Sequence, residues 1–302
     1  MTVLALLGPT ASGKTTIGCD LAERFGAEIV CVDSMTVYRG MNVGTAKPAG
    51  EERARVPHHL LDVAEPDERF TVARYQQLAR EAIAGIRARG RVPLLVGGSG
   101  LYFRAAADEL RFPPTDDAVR ARLDRRDIHD LAIRLKEVDP DAATFIDLEN
   151  KRRVVRALEV FDLTGQPFSS YRQEWEHRNP VIAAGLRVTP AELATRIEQR
   201  FLAMLDEGFL DEVRALLERG LRGALTASQA IAYGQAVEHL EGKITREELI
   251  AEVARATRRL ARRQMSWFRA DARVRWFDAD DTARASGEIS SYYDEQLTGS
   301  TA

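Results

Sequence analysis

The residues with the most legible chemistry stand near the start of the chain, in Gly8-Pro9-Thr10-Ala11-Ser12-Gly13-Lys14-Thr15. Their spacing fits G-x-x-x-x-G-K-[ST], a pattern in which each part handles phosphate. Gly8 and Gly13 let the backbone turn successive N–H groups toward one point. A helix that starts where the loop ends adds partial positive charge there. Lys14 brings a full charge, and the Thr15 hydroxyl suits a magnesium ion. All eight residues are therefore candidate ligands of a diphosphate. The loop alone does not say which phosphate compound it holds.

A second candidate is Asp33, which follows a short apolar run over 28–32. Side chains at the carboxyl end of a parallel strand point into the ligand crevice, so Asp33 is expected to face the phosphate loop. Four roles compete for it: magnesium ligand, ribose-binding acid, general base, or cap of the next turn. The ribose reading is weakened because no G-x-G-x-x-G is present. The stretch 33–48 mixes glycines and hydroxyls with Tyr38, Arg39 and Lys47 and has little periodicity. It is expected to lie as a loop across a pocket. A third apolar run, 92–96, ends in Gly97-Gly98-Ser99-Gly100-Leu101-Tyr102. A hydroxyl, Ser99, stands where many phosphate-loop ATPases place a magnesium-binding acid. That favours holding a flat group or a phosphate over hydrolysing a nucleotide.

The elements that must position these residues follow from periodicity. Residues 3–7 form an unbroken apolar run, as a buried parallel strand does, and Ile17, Leu21, Ala22 and Phe25 recur at helical spacing behind the loop. An amphipathic helix is predicted over 70–89, with Thr71 as its cap and Gly90 as its end. Adjacent side chains on a strand point to opposite faces, so His58 and His59 are read as structural and not as a metal pair. From Phe112-Pro113-Pro114 the alternation of strand and helix stops. Helices are predicted over 116–126, 128–138, 141–145 and 151–163. The strand–helix pattern then resumes with a strand over 183–189, helices over 191–207, 210–217, 227–240 and 246–268, and a last strand over 274–277. The fold class is α/β, a parallel-sheet core over 1–112 and about 179–280 with an all-helical insertion over about 113–178. From 281 to 302 a polar tail is expected to fray.

Two basic stripes stand out. Lys151, Arg152, Arg153 and Arg156 share one insertion helix. Arg255, Arg258, Arg259, Arg262, Arg263 and Arg269 crowd the long helix 246–268, with Trp267 and Phe268 near its end. Arginine suits bidentate contact with phosphate, and a dense arginine face suggests a nucleic-acid backbone. Net charge is -3 over 302 residues, so such binding must come from a local patch. The 2 cysteines, Cys19 and Cys31, read as buried free thiols in a reducing cytoplasm, and their number excludes a cysteine-based zinc site. Nothing resembles a signal peptide or a membrane span.

Taken in order, these segments resemble the tRNA dimethylallyltransferase family. The resemblance runs from Leu4 to about Phe277. It rests on the Gly8–Thr15 loop, Asp33-Ser34, Tyr38-Arg39-Gly40-Met41, Gly44-Thr45-Ala46-Lys47-Pro48, Pro57-His58-His59, Leu61-Asp62 and Gly97–Tyr102. Further on it includes Arg156-Ala157-Leu158-Glu159 with Thr164-Gly165, and Arg262-Arg263-Gln264 with Trp267-Phe268. The family implies a P-loop core and transfer of a dimethylallyl group from dimethylallyl diphosphate to N6 of the adenosine next to the anticodon. On that resemblance the loop holds the departing diphosphate with Mg2+ on Thr15. Asp33 is the general base and Ser99 contacts the adenosine. Asp33, Ser34, Met35, Thr36, Ser99, Arg152, Arg153 and Arg156 lie near the tRNA anticodon arm. A cytoplasmic monomer is expected. One stretch departs from the family: Ala232 stands where glycine is usual and Gly234 where a basic residue is common. Two other activities compete, prenylation of free adenine nucleotides and a P-loop kinase or NTPase.

Overall fold

The computed structural model describes residues 2–171, 178–224 and 226–299. Contacts divide the chain into two compact units, one made of 1–107 with 180–302 and the other of 108–179. Residues 172–177, within the expected insertion, and 300–302, within the expected tail, lie outside the described residues.

The first unit is built on six parallel strands: β1 (Leu4–Leu7), β2 (Ala27–Val32), β3 (His58–His59), β4 (Val92–Gly97), β5 (Ile182–Arg187) and β6 (Val274–Asp278). Their order is β3-β2-β4-β1-β5-β6, which puts the strand before the phosphate loop in the middle. Every side chain of β1 and β2 is buried, as strands covered on both faces require. On one side Leu4, Leu6, Ile29, Cys31 and Leu94 form a core with Ile17 and Leu21 of helix α1 (Lys14–Phe25). After the short helix α2 (Gly50–Arg55), α3 (Val72–Ala88) and α4 (Gly100–Ala107) lie over the other side and carry Tyr75, Ile86, Tyr102 and Phe103 into the core. The predicted cap holds: the Thr71 hydroxyl accepts from Arg74 N at 3.2 Å.

Two elements differ from what the sequence leads one to expect. The chain beyond 281 is a helix, Thr282–Gly299, and not a frayed tail. Ala285, Ile289 and Tyr293 recur every four residues along it, are fully buried, and pack against α1 and β5. The Tyr293 hydroxyl donates to the Ala5 carbonyl at 2.6 Å. The polar residues between them hid this apolar stripe. The helix predicted over 227–240 is broken: a 3-10 turn, Ala227–Gln229, precedes a helix at Tyr233–Leu240, and Ala232 between them has φ 80°. A left-handed residue cannot continue a right-handed helix.

The second unit holds helices Asp117–Asp124, Ile128–Val138, Ala142–Phe145 and Lys151–Thr164 around Leu123, Leu131, Leu135, Val154 and Leu158. The buried carboxylate of Glu159 is held by Arg120 at 2.9 Å, Arg156 at 2.7 Å and the Asp116 amide at 2.9 Å.

Candidate active site

The carboxyl ends of β1, β2 and β4 meet at one crevice, where open parallel sheets place ligands. Gly13, with φ 85° in the left-handed region, lets the loop after β1 turn into α1. Behind it Lys14 donates to the Pro9 carbonyl and reaches Ser12 Oγ at 3.4 Å. Thr10 to Thr15 line a cavity of about 930 Å³ together with Asp33.

Helix Pro190–Asp206 brings Arg200 to the same wall, where its Nη1 donates to Thr10 Oγ1 at 3.2 Å. Burial and the nearby Arg200 charge bring the Lys14 ammonium down to about 7, and Asp33 opposes that shift. Burial likewise lowers the Arg200 guanidinium, again against Asp33. Two cations thus share a confined space with one carboxylate, a charge balance that a polyanion improves.

Asp33 follows the last residue of β2. Its Oδ1 accepts from Met35 N at 2.7 Å and Thr36 N at 3.4 Å. These bonds fix the carboxylate in a turn and leave Oδ2 without a partner among the described residues. Asp33 also lines a second cavity of about 520 Å³, which shares Thr10, Gly98, Arg200 and Gln264 with the first. The second cavity is walled by Ser34, Met35, Ser99, Phe201, Ala232 and Trp267. Ser99 is positioned by its own amide on the Val32 carbonyl at 3.2 Å and opens α4 through its carbonyl on Phe103 N at 2.8 Å.

The structure gathers the eight loop residues, Asp33, Ser34, Met35, Thr36 and Ser99 within the first unit. Gly8 and Pro9 shape the turn, while Thr10 to Thr15 reach the cavity surface. Arg152 and Arg153 are exposed on the insertion helix. Arg156, expected as a tRNA contact, is tied to the residues around it. Its guanidinium donates to the carbonyls of Pro113 and Pro114, both at 2.8 Å, as well as to Glu159, so its hydrogen-bonding capacity is directed into its own unit. On helix Arg246–Arg269, Arg255, Arg258, Arg259, Arg262, Arg263 and Arg269 are all exposed and have no ion pair among the described residues. Such an unpaired row differs from a face neutralised by neighbouring carboxylates. The histidines behave as read: His58 bonds the Val56 carbonyl and His59 bonds Glu28, each through one ring nitrogen. Among the described residues no cluster of three or more His, Cys, Asp or Glu side chains could hold a metal.

Three supporting residues were not singled out as site residues from the sequence. Arg200 is one arginine among several on an amphipathic helix. Gln264 was visible only as part of a motif, yet its Oε1 accepts from Thr10 N at 2.9 Å and ties the phosphate loop to the arginine helix. Glu212, on helix Phe209–Glu218, accepts from three successive amides of a loop 168 or more residues away: Asn42 and Val43 at 2.7 Å and Gly44 at 3.1 Å. It also accepts from the Tyr233 hydroxyl at 2.7 Å. A side chain on Gly44 would meet Phe209 at 2.4 Å and the Tyr233 hydroxyl at 2.6 Å, so only glycine lets the loop approach this closely. Lys47 is equally committed. It is buried, with Nζ on Tyr38 O and Asp62 Oδ1 at 2.7 Å and Asn42 Oδ1 at 3.1 Å.

Comparison with known proteins agrees with this arrangement. The family model described as IPP transferase matches residues 36–271. A tRNA dimethylallyltransferase of Thermobifida fusca is 50% identical over 93% of this chain and 91% of its own length. One from Streptomyces coelicolor is 49% identical over 91% and 89%. Among solved structures, a tRNA isopentenylpyrophosphate transferase from Bacillus halodurans superposes with a TM-score of 0.74 at 39% identity, covering 99% of this chain and 98% of that one. A eukaryotic dimethylallyltransferase acting on tRNA gives a TM-score of 0.85 at 25% identity, covering 99% of this chain and 80% of that one. The chain belongs to the tRNA dimethylallyltransferase family.

Proposed function

We propose that this protein transfers a dimethylallyl group from dimethylallyl diphosphate to N6 of the adenosine next to the anticodon in tRNA. The observation that carries the reading is the position of Asp33. It stands where the cavity of the phosphate loop and the cavity beneath Ser99 and Trp267 share a wall. The diphosphate lies against the amides of 8–15, with Lys14 and Arg200 taking up its charge. The amine nitrogen attacks the allylic carbon as the carbon–oxygen bond to the diphosphate breaks. Inorganic diphosphate leaves with that electron pair, and the N6 proton passes to Asp33. Ser99 contacts the adenosine.

The Thr15 hydroxyl is a hard oxygen donor at the wall of the phosphate-loop cavity and would hold magnesium there. Such an ion supplies charge neutralisation at the leaving group. The adenosine must leave its stack to reach the second cavity, which is easiest from an unpaired loop. Ser34, Met35 and Thr36 lie nearest that RNA. The exposed arginines of helix Arg246–Arg269, with Arg152 and Arg153, meet the backbone of the anticodon arm. No described helix is long and apolar enough to cross a membrane, and the two cysteines are free and buried. Free thiols suit a reducing compartment such as the cytoplasm.

The test is incorporation of labelled dimethylallyl diphosphate into tRNA and, separately, into AMP. Label in tRNA alone is expected. Label only in AMP would assign the free nucleotide as acceptor, and phosphate release from ATP without a prenyl donor would assign an NTPase.

A further inference from the structure

Trp267 is the most exposed large hydrophobic residue among the described ones, at 50%. Its neighbour Phe268 is buried at 1%, so the helix turns one ring inward and leaves the other in solvent. Trp267 lines the mouth of the 520 Å³ cavity together with Ser99, Gly100 and Arg263. It is also held in place. A Cβ on Gly100 would sit 2.8 Å from Trp267 Cε3 and 2.9 Å from its Cβ and Cδ2, so the indole lies directly on the first turn of α4. One part of the ring is clamped against backbone and the remainder is open. Arg259, Arg263 and Trp267 are spaced by four residues and share one helical face. Both arginines are exposed and unpaired among the described residues. A row of guanidinium groups thus ends in a rigid aromatic ring at the rim of the cavity.

We propose that Trp267 is a stacking platform for an unpaired nucleobase directly beside the adenosine that enters the cavity. The inference rests on the reading of the protein as a tRNA-modifying enzyme and adds a subsite to it. Single-stranded RNA is held by two kinds of contact, cations along the backbone and aromatic faces under the bases. Arg259 and Arg263 supply the first and Trp267 the second. When the target adenosine leaves the stack, its neighbour loses a stacking partner, and the indole replaces it. The clamp on Gly100 means that little ring motion is lost on binding.

The experiment measures binding of a fluorescein-labelled RNA stem–loop with a target adenosine in its loop. Trp267→Ala is expected to weaken binding about tenfold, and Trp267→Phe, which keeps an aromatic face, to recover it to within about threefold. Stem–loops carrying an abasic residue on the 5′ or 3′ side of the target locate the partner. At one of these positions the abasic RNA should lose about tenfold with the wild-type protein and less than about twofold with Trp267→Ala. Additive losses at both positions, or a Phe variant as weak as the Ala variant, overturn the proposal. A pyrophosphate-induced rise in melting temperature equal to that of wild type shows that each variant is folded. Failure of the wild-type protein to bind any stem–loop would instead overturn the underlying tRNA reading.

Discussion

Consider raising the pH from 7 to 8.5 while measuring how tightly the phosphate loop binds inorganic pyrophosphate. In the free protein, burial and Arg200 bring Lys14 down to about 7 from an ordinary value of 10.5. A bound polyanion favours the charged lysine and moves its pKa back up. Between those limits the complex holds more protons than the free protein. Binding then takes up about half a proton at pH 7 and nearly a whole one at pH 8.5, so the rise in Kd steepens above pH 7 toward about tenfold per pH unit. From pH 7 to 8.5 the lysine contributes a weakening of roughly fifteenfold, or about 1.6 kcal/mol. The unfolded chain, with its ordinary lysine, binds more protons than the native protein across the same window. Lys14 therefore makes the ligand-free protein more stable as pH rises toward 10.5, and that gain is absent below about 7. The rise in melting temperature on adding pyrophosphate should accordingly be larger at pH 7 than at pH 8.5. Titration calorimetry in two buffers of different ionisation enthalpy reads the proton uptake directly. Lys14→Arg keeps the cation but does not titrate, so its residual slope gives the ionisation of pyrophosphate itself. Equal proton uptake by the wild type and Lys14→Arg at pH 8.5 would refute the reasoning.

Other perturbations test the scaffold around the cavities. Glu212→Gln removes the charge that three loop amides and Tyr233 share. Because Glu212 is partly exposed, the cost should be about 1–3 kcal/mol rather than the sum of four charged bonds. Thermal unfolding should show a lower melting temperature, together with a lower kcat/KM for tRNA. Unchanged values of both would remove Glu212 as the tie between loop and cavity wall. At Ala232, φ 80° costs a residue bearing a Cβ about 1–3 kcal/mol of strain. Glycine would remove that strain but adds roughly 0.4–1 kcal/mol of unfolded-state entropy. Ala232→Gly should therefore raise the melting temperature by about 2 °C, and a fall would mean that the alanine is not strained.

Much of the site could be read from one dimension because its signals are local. A glycine loop between an apolar run and a helical period leaves one arrangement for Gly8 to Thr15, and Asp33 and Ser99 each follow a strand whose end faces the crevice. The prolines at 113 and 114 marked the change to helices, although the second unit begins earlier, at Asp108. What escaped depends on contacts between distant segments. Glu212 looks like an ordinary surface charge until the fold brings backbone amides to it, and Lys47, named with its loop, gave no sign of the carbonyl and carboxylate that bury it. The same holds for Arg156, whose partners lie 42 and 43 residues away. The helix Thr282–Gly299 was missed because three buried side chains spaced by four were set among serines and acids. The break at Ala232 was hidden because nothing in the identity of an alanine announces a left-handed backbone.

The most direct test of the central claim is mass spectrometry of nucleosides from tRNA incubated with dimethylallyl diphosphate, magnesium and either the wild-type protein or Asp33→Ala. N6-(dimethylallyl)adenosine is expected with the wild type and none with Asp33→Ala, whose stem–loop affinity stays within a few-fold of wild type. Full product from Asp33→Ala would show that the proton goes elsewhere, and no prenylated adenosine from the wild type would contradict the assigned reaction.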